Sequence, residues 1–329
     1  SPYTLSLHDA LPISLIDWKK IYEYVKKLRQ RIFRAEQLGN KRKVRKLQRL
    51  MIRSNANLLL SIKRVTQINK GKKTAGVDGQ IAITSSDRLR LYNLLKKYSI
   101  KHIRPKPVKR IYIPKKKGKM RPLGIPVIKD RIFQNIVKNA LEPQWEAKFE
   151  PSSYGFRPKR RTQDAIVNLF AKLSSRSTRQ WVFEGDFKGC FDNLNHEYIM
   201  DCLTGFPAKD TIYKWLKAGY VDNNSFNDTH SGTPQGGLVS PLLANIALHG
   251  MEEEIGVRYH LDGGNYTLAR NSVGVVKYAD DFVILCKTEE TAINMYQKLK
   301  PYLNKRGLTL ADDKTKVTHI SEEIGRAHV

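Results

Sequence analysis

The chain has 329 residues, enough for a sizeable core divided among two or three lobes, and carries 59 lysines and arginines against 31 aspartates and glutamates, a net charge of +28. That excess exceeds what solubility requires and points to a polyanion as partner. No apolar run reaches the roughly 18 residues a spanning helix needs, no signal peptide is visible, and Cys190, Cys202 and Cys286 lack metal-ligand spacing, so a membrane span, a disulfide framework and a zinc site are set aside and a reducing cytoplasm fits.

Residues 4–14 (TLSLHDALPIS) and 323–329 (EIGRAHV) resemble translated sequencing-adaptor sequence and are left out of fold reasoning. From Leu15 to about Leu50, Trp18, Ile21, Val25, Leu28 and Ile32 recur three or four apart, with Lys19, Lys26, Lys27 and Arg34 elsewhere on the cylinder, which predicts a basic amphipathic helix. Lys41, Arg42, Lys43, Arg45, Lys46 and Arg49 make a positive helix face or hinge suited to a phosphate backbone, a merely solvated face being the competing reading. Residues 69–80, rich in glycine and lysine, read as a loop.

Residues 109–126 read as a hairpin: a strand over Arg110 to Ile113, a turn about Lys117 and Gly118, and a return strand to Ile125. A helix is predicted from Asp130, its buried stripe Ile132, Phe133, Ile136, Val137, Ala140 and Leu141, with Pro143 beyond its end. An aromatic and arginine-rich loop, SYGFRPKRR, comes next. Trp181 to Phe187 is a strand whose alternation puts Trp181 and Phe183 on a core face and Val182, Glu184 and Asp186 on a wetter one. Ser240 and Pro241 mark a helix start that runs through Leu243, Ile246 and Ala247. Val273 to Leu285 is apolar except for Lys277, Asp280 and Asp281 and reads as strand, tight turn and strand.

Asp280 and Asp281 are adjacent carboxylates at the tip of an apolar hairpin, where they repel each other; a solvated turn is the competing reading on pattern alone. A divalent cation resolves the conflict, and magnesium takes one or two carboxylates plus substrate phosphates, the ligand set of a nucleotidyl transferase. Asp186, at the end of a strand with an apolar opposite face, is the best further carboxylate, because an antiparallel neighbour would bring it beside the hairpin tip.

YADD (278–281), FKGCFDNLNH (187–196) after Asp186, GTPQGGLVSPLLANIALHGME (232–252), KRIYIPKKKGKMRPLGIPVIKDR (109–131), SYGFRP (153–158) and RGLTLADDKTKVTHI (306–320) together resemble the group II intron reverse transcriptases, also called maturases. They occur in the family's order across residues 55 to 320. The resemblance implies an α+β fold of the right-hand polymerase kind: a basic helical extension (15–75), fingers (76–180) and a palm with an antiparallel sheet backed by helices (181–322), the thumb missing. It implies RNA-directed DNA synthesis with two magnesium ions, manganese serving as an alternative. The partners it implies are an RNA template, a DNA primer, a deoxynucleoside triphosphate and, for splicing by the full-length protein, the parent intron RNA.

By the same resemblance Asp186 and Asp280 are metal ligands, Asp281 completes the acidic cluster and Phe187 offers its carbonyl. Phe191 sits under the incoming sugar and excludes a 2′ hydroxyl by bulk, a core role being the alternative. Lys115 and Arg121 match the positions that hold the triphosphate, where a point charge and a planar fork suit phosphate oxygens. Gln235 touches nucleotide or template, and Gly236 with Gly237 lets backbone approach nucleic acid, or else forms a plain turn. Lys314 orders the palm's floor or is a surface lysine, and Arg157 joins Lys41, Arg42, Lys43, Arg45 and Lys46 as nucleic-acid contacts. Two other readings stay open: a maturase that binds intron RNA without catalysis, and a retron, CRISPR-associated or defence reverse transcriptase. The VTG tripeptide of retron enzymes is absent, and an aromatic at Phe191 disfavours an RNA polymerase.

Overall fold

The computed structural model describes residues 16–114, 118, 120–173, 178–262 and 265–321. Lys115, Lys117 and the adaptor-like ends fall outside them. The described residues fall into two compact units that share the chain unevenly. One holds residues up to Ala147 together with Thr204–Thr229 and Pro234–Ser240; the other holds Lys148–Leu203, His230–Thr233 and the residues from Pro241 onward. By contact, residues 148–180 cluster with the aspartates and 204–229 with the N-terminal half.

The first unit opens with α1 (Trp18–Gln37), α2 (Lys41–Arg53) and α3 (Asn55–Lys63), followed by α4 (Ser85–Leu95). The predicted stripe is the buried one: Ile21, Val25, Leu28, Ile32 and Ala35 face inward, each fully buried aliphatic contributing about 1.5–3 kcal/mol. The single helix expected to about Leu50 is instead two. Backbone bonds from Leu38 to Arg34 and from Asn40 to Ala35 close α1, and the Asn40 side chain accepts from the Lys43 N–H to begin α2.

β1 (Val108–Pro114) and β2 (Met120–Ile125) form the expected hairpin. Next, α5 (Ile128–Glu146) runs through Pro143 rather than ending before it. Burial of Leu141, Pro143 and Trp145 offsets the one lost backbone bond. α5 packs against α1, α2 and α3. Its polar positions are satisfied there: Asn57 donates to the carbonyls of Met51 (3.0 Å) and Ile136 (3.2 Å), Asn139 donates to Asn57 (2.7 Å), and Arg29 pairs with Glu142 (2.5 Å).

In the second unit, α6 (Thr162–Lys172) precedes β3 (Trp181–Asp186), α7 (Cys190–Asn193) and α8 (His196–Cys202). The chain then returns to the first unit for α9 (Lys209–Leu216), β4 (Tyr220–Asp222) and β5 (Ser225–Asn227), which complete a sheet of order β2-β1-β4-β5, β1 and β4 being parallel. α10 (Ser240–Ala247) starts where Ser240-Pro241 predicts. After α11 (Met251–Ile255) and a hairpin of β6 (Tyr259–Asp262) and β7 (Asn265–Leu268) come β8 (Gly274–Tyr278), β9 (Asp281–Cys286), α12 (Glu289–Arg306) and β10 (Lys316–His319).

Strands β10, β3, β9 and β8 pair in that order, every neighbour antiparallel. Helix α12 backs this sheet through Ala292, Met295, Leu299 and Tyr302, and α8 and α11 pack on α12. Arg306 anchors its end, donating to the carbonyls of Ala247 (2.6 Å), Tyr302 (2.7 Å) and His249 (2.8 Å). Among the described residues no helix is long and apolar enough to cross a membrane.

Candidate active site

Alternation along β3 turns Phe183 into the core and Asp186 toward the wetter face, as the period-two pattern requires. Antiparallel pairing of β3 with β9 sets Asp186 opposite Asp281, and Asp280 is the preceding residue, in the turn between β8 and β9. The turn is tight: Ala279 has a positive φ of 58°. Gly185 makes the pairing close, because a Cβ there would run into the Phe282 ring, which instead packs near Phe183 (6.3 Å) and Phe187 (5.1 Å). A lower clamp comes from the 306–320 block: Ala311 N–H donates to the Asp186 carbonyl and Lys188 N–H to the Thr309 carbonyl, each at 2.9 Å.

The carboxylates feel one another. Desolvation, then the like charges of Asp280 and Asp186, push the Asp281 carboxyl above its ordinary range, Lys314 acting the other way. Burial first, then Asp280 and Asp186, push the Cys190 thiol up, so it stays protonated and inert beneath the cluster. Lys314 Nζ donates to Asp186 Oδ2, and this bond holds its ammonium above the usual range. Its expected place on the palm floor becomes a direct ion pair with an aspartate of the cluster, 128 residues away in sequence. Among the described residues no three His, Cys, Asp or Glu side chains are arranged as a metal cage.

The SYGFRP loop is stitched to the same hairpin. Lys277 N–H donates to the Ser152 carbonyl (2.9 Å), Tyr154 N–H to the Lys277 carbonyl (2.8 Å), and Asn245 Nδ2 to the Gly155 carbonyl (2.8 Å). Below them the buried Lys277 ammonium reaches Glu150 (3.3 Å) and the Leu248 carbonyl (2.6 Å). Arg157, expected to touch nucleic acid, is only 7% exposed and gives its guanidinium to the carbonyls of Ser153 (2.7 Å) and Glu150 (2.9 Å). It is corrected to a loop clamp: buried guanidinium donors must be satisfied internally.

Phe191 is half-buried on α7, its carbonyl accepting from Thr233 N–H (2.7 Å) and its ring meeting Phe156 edge-on, 6.0 Å between centroids. Phe156 was missed from sequence, though its signal, an aromatic in SYGFRP, was visible. In the other unit, Arg121 is exposed on β2, and the Gln235 turn is bonded to that strand through Gly124 N–H to the Gln235 carbonyl (2.6 Å). Gly236 has a local reason to be glycine, since a Cβ would sit 2.6 Å from the Gly124 carbonyl oxygen at a φ of 120°. Lys41, Arg42, Lys43, Arg45 and Lys46 are all exposed along α2, opposite buried Val44, Leu47 and Met51.

A helix-backed antiparallel sheet with an acidic hairpin beside the end of its central strand, together with a hairpin-bearing helical unit, is the α+β fingers-and-palm arrangement of right-hand polymerases. The chain belongs to the reverse transcriptase family: residues 113–325 match the model described as reverse transcriptase (RNA-dependent DNA polymerase), and residues 14–95 match the N-terminal domain of reverse transcriptase. Protein YkfC of Escherichia coli is 33% identical over 84% of this chain and 81% of its own length. Group II intron-encoded protein LtrA of Lactococcus lactis subsp. cremoris is 34% identical over 77% of this chain, and the chain covers 51% of it. Maturase-like protein 1 of Euglena gracilis is 29% identical over 71% of the chain and 51% of its own length. Among solved structures, telomerase from Candida albicans aligns with a TM-score of 0.45 and 13% identity over 67% of this chain and 42% of that one, too distant a likeness to carry an argument.

Proposed function

We propose that the chain is the polymerase portion of a group II intron reverse transcriptase, which extends a DNA primer on an RNA template by attack of the primer 3′ hydroxyl on the α-phosphate of a deoxynucleoside triphosphate. The observation that carries this is the β3–β9 register, which sets Asp186 opposite Asp281 and one residue from Asp280. Likeness to an intron-encoded protein and to a maturase-like protein supports the intron assignment and, for the full-length protein, a splicing role on its parent RNA.

The donor set suits magnesium. Its oxygens are hard, and the β3–β9 register gathers like charge that a divalent cation would relieve. Asp186, Asp280, Asp281 and the Phe187 carbonyl are the groups to hold it, manganese being an alternative. When bound, such ions lower the pKa of the attacking hydroxyl and neutralise the departing pyrophosphate. The chain's own residues do the rest. Lys314 balances the Asp186 charge, as its ion pair indicates. Lys115 and Arg121 grip the triphosphate, Gln235 and Gly236 border the nucleotide, and Phe191 bars a 2′ hydroxyl. The exposed α2 face supplies sequence-independent phosphate contacts.

Primer extension by the full-length protein on an RNA template in magnesium tests this. Asp186→Ala or Asp280→Ala should abolish synthesis while RNA affinity stays near wild type, because many basic contacts carry the binding. Extension retained in either variant overturns the assignment. RNA binding with no extension by the wild-type protein makes it a non-enzymatic maturase.

A further inference from the structure

Phe156 combines three features that do not ordinarily coincide. It is a bulky residue with a φ of 59°, in the left-handed region that favours glycine or asparagine; the residue is 49% exposed; and its ring meets Phe191 edge-on at 6.0 Å and 84°. Both flanks are fixed. Gly155 lies so close to Ala279 that any Cβ would collide with its backbone, and the Gly155 carbonyl accepts from Asn245, itself 3% exposed. On the other side the buried Arg157 guanidinium holds the Ser153 and Glu150 carbonyls. The backbone therefore cannot relax the strain by rotating, and Phe156 is held out of the core toward the Phe191 ring.

Phe191 needs such a neighbour. Its backbone is secured by the Thr233 N–H, and Gly232 crosses so near that a Cβ would lie 2.6 Å from the Phe191 carbonyl oxygen. These contacts fix the backbone and leave the side-chain rotation to be set by the ring's neighbours. A gate that works by bulk discriminates only if it cannot swing aside when a larger sugar arrives, since an ångström of give relaxes a steric test.

We propose that Phe156 is a positioning residue for sugar selection: its outward ring, held by a strained backbone, braces Phe191 edge-on and fixes the rotamer that excludes a ribonucleotide. A strained conformation sustained by its surroundings at this point is explained by the contact it makes. The inference rests on the reading of Phe191 as the residue beneath the incoming sugar, and goes beyond it by assigning discrimination to a pair of rings.

The test is single-nucleotide primer extension on RNA, comparing kcat/KM for a ribonucleotide and the matching deoxynucleotide in wild type, Phe156→Ala, Phe156→Gly, Phe156→Tyr, Phe191→Ala and the Phe156→Gly/Phe191→Ala double variant. Glycine removes the ring while relieving the backbone strain, so it decides the matter if alanine fails to fold. Phe156→Ala and Phe156→Gly should each raise the ribonucleotide-to-deoxynucleotide ratio about fivefold, the scale of one edge-on aromatic pair. Phe156→Tyr should keep the wild-type ratio, and the double variant should match Phe191→Ala, because the brace has nothing left to hold. A wild-type ratio in Phe156→Gly alongside a relaxed ratio in Phe191→Ala overturns the brace and leaves the gate intact. Equal losses with both substrates also overturn it, marking a nucleic-acid or structural contact. An unchanged ratio in Phe191→Ala defeats the gate reading itself, and the brace with it.

Discussion

Asp130 is 4% exposed in the first turn of α5 and accepts from the Lys106 N–H (3.1 Å) and the Trp215 indole (3.4 Å), yet burial dominates and pushes its carboxyl up to about 6. Because the folded value lies above the unfolded one, the folded state holds this proton more tightly. The stabilisation is complete below the unfolded value and is lost as pH rises through about 6, a change of about 3 kcal/mol. Urea unfolding of wild type and Asp130→Asn between these limits should show the stability difference shifting toward the variant as pH rises; a difference that does not vary with pH would mean Asp130 does not titrate there. At this scale, the strand alternation gives Asp186 its face and the hairpin pattern puts Asp280 and Asp281 at a tip, both being local and periodic, whereas their meeting depends on the non-local pairing of β3 with β9. The Lys314–Asp186 pair and the turning inward of Arg157 were illegible, because a side chain's partner depends on the fold and not on spacing.

Between residues and molecule, the loop at 152–157 and the β8–β9 hairpin form one mechanical piece, joined by the Ser152, Tyr154 and Lys277 backbone bonds and by the buried Lys277–Glu150 pair. Gly155→Ala should displace Ala279, and Asp280 with it. The expected result is a loss of at least about tenfold in primer extension, the scale set by ångström misplacement of reacting groups. The assay is run beside a melting curve, and wild-type extension would show that the loop and hairpin move independently. Hairpins and amphipathic helices were legible here because turn residues and periodicity encode them. The break after α1 and the continuation of α5 through Pro143 were not, since capping bonds and burial decide them after the fact.

For the whole molecule the net charge of +28 is the most legible property. Reversing two charges on the exposed α2 face, Lys43→Glu with Lys46→Glu, should weaken binding to unrelated single-stranded RNAs alike and flatten the log-log salt slope by about 0.7 for each phosphate no longer neutralised. Titrations across several salt concentrations check this; an unchanged slope would place the phosphate-binding surface elsewhere. The interleaving of the two units was not legible, because chain returns at 204–229 and 234–240 carry no compositional mark. That interleaving bears on how the protein is made. Strand β3 finds one neighbour in β9 and the other in β10, so a nascent chain emerging from the ribosome carries β3 with neither edge paired until Asp281–Cys286 has been made, and with one edge open until Lys316–His319 follows. A strand left open for so much of translation is one that a chaperone's cover would protect.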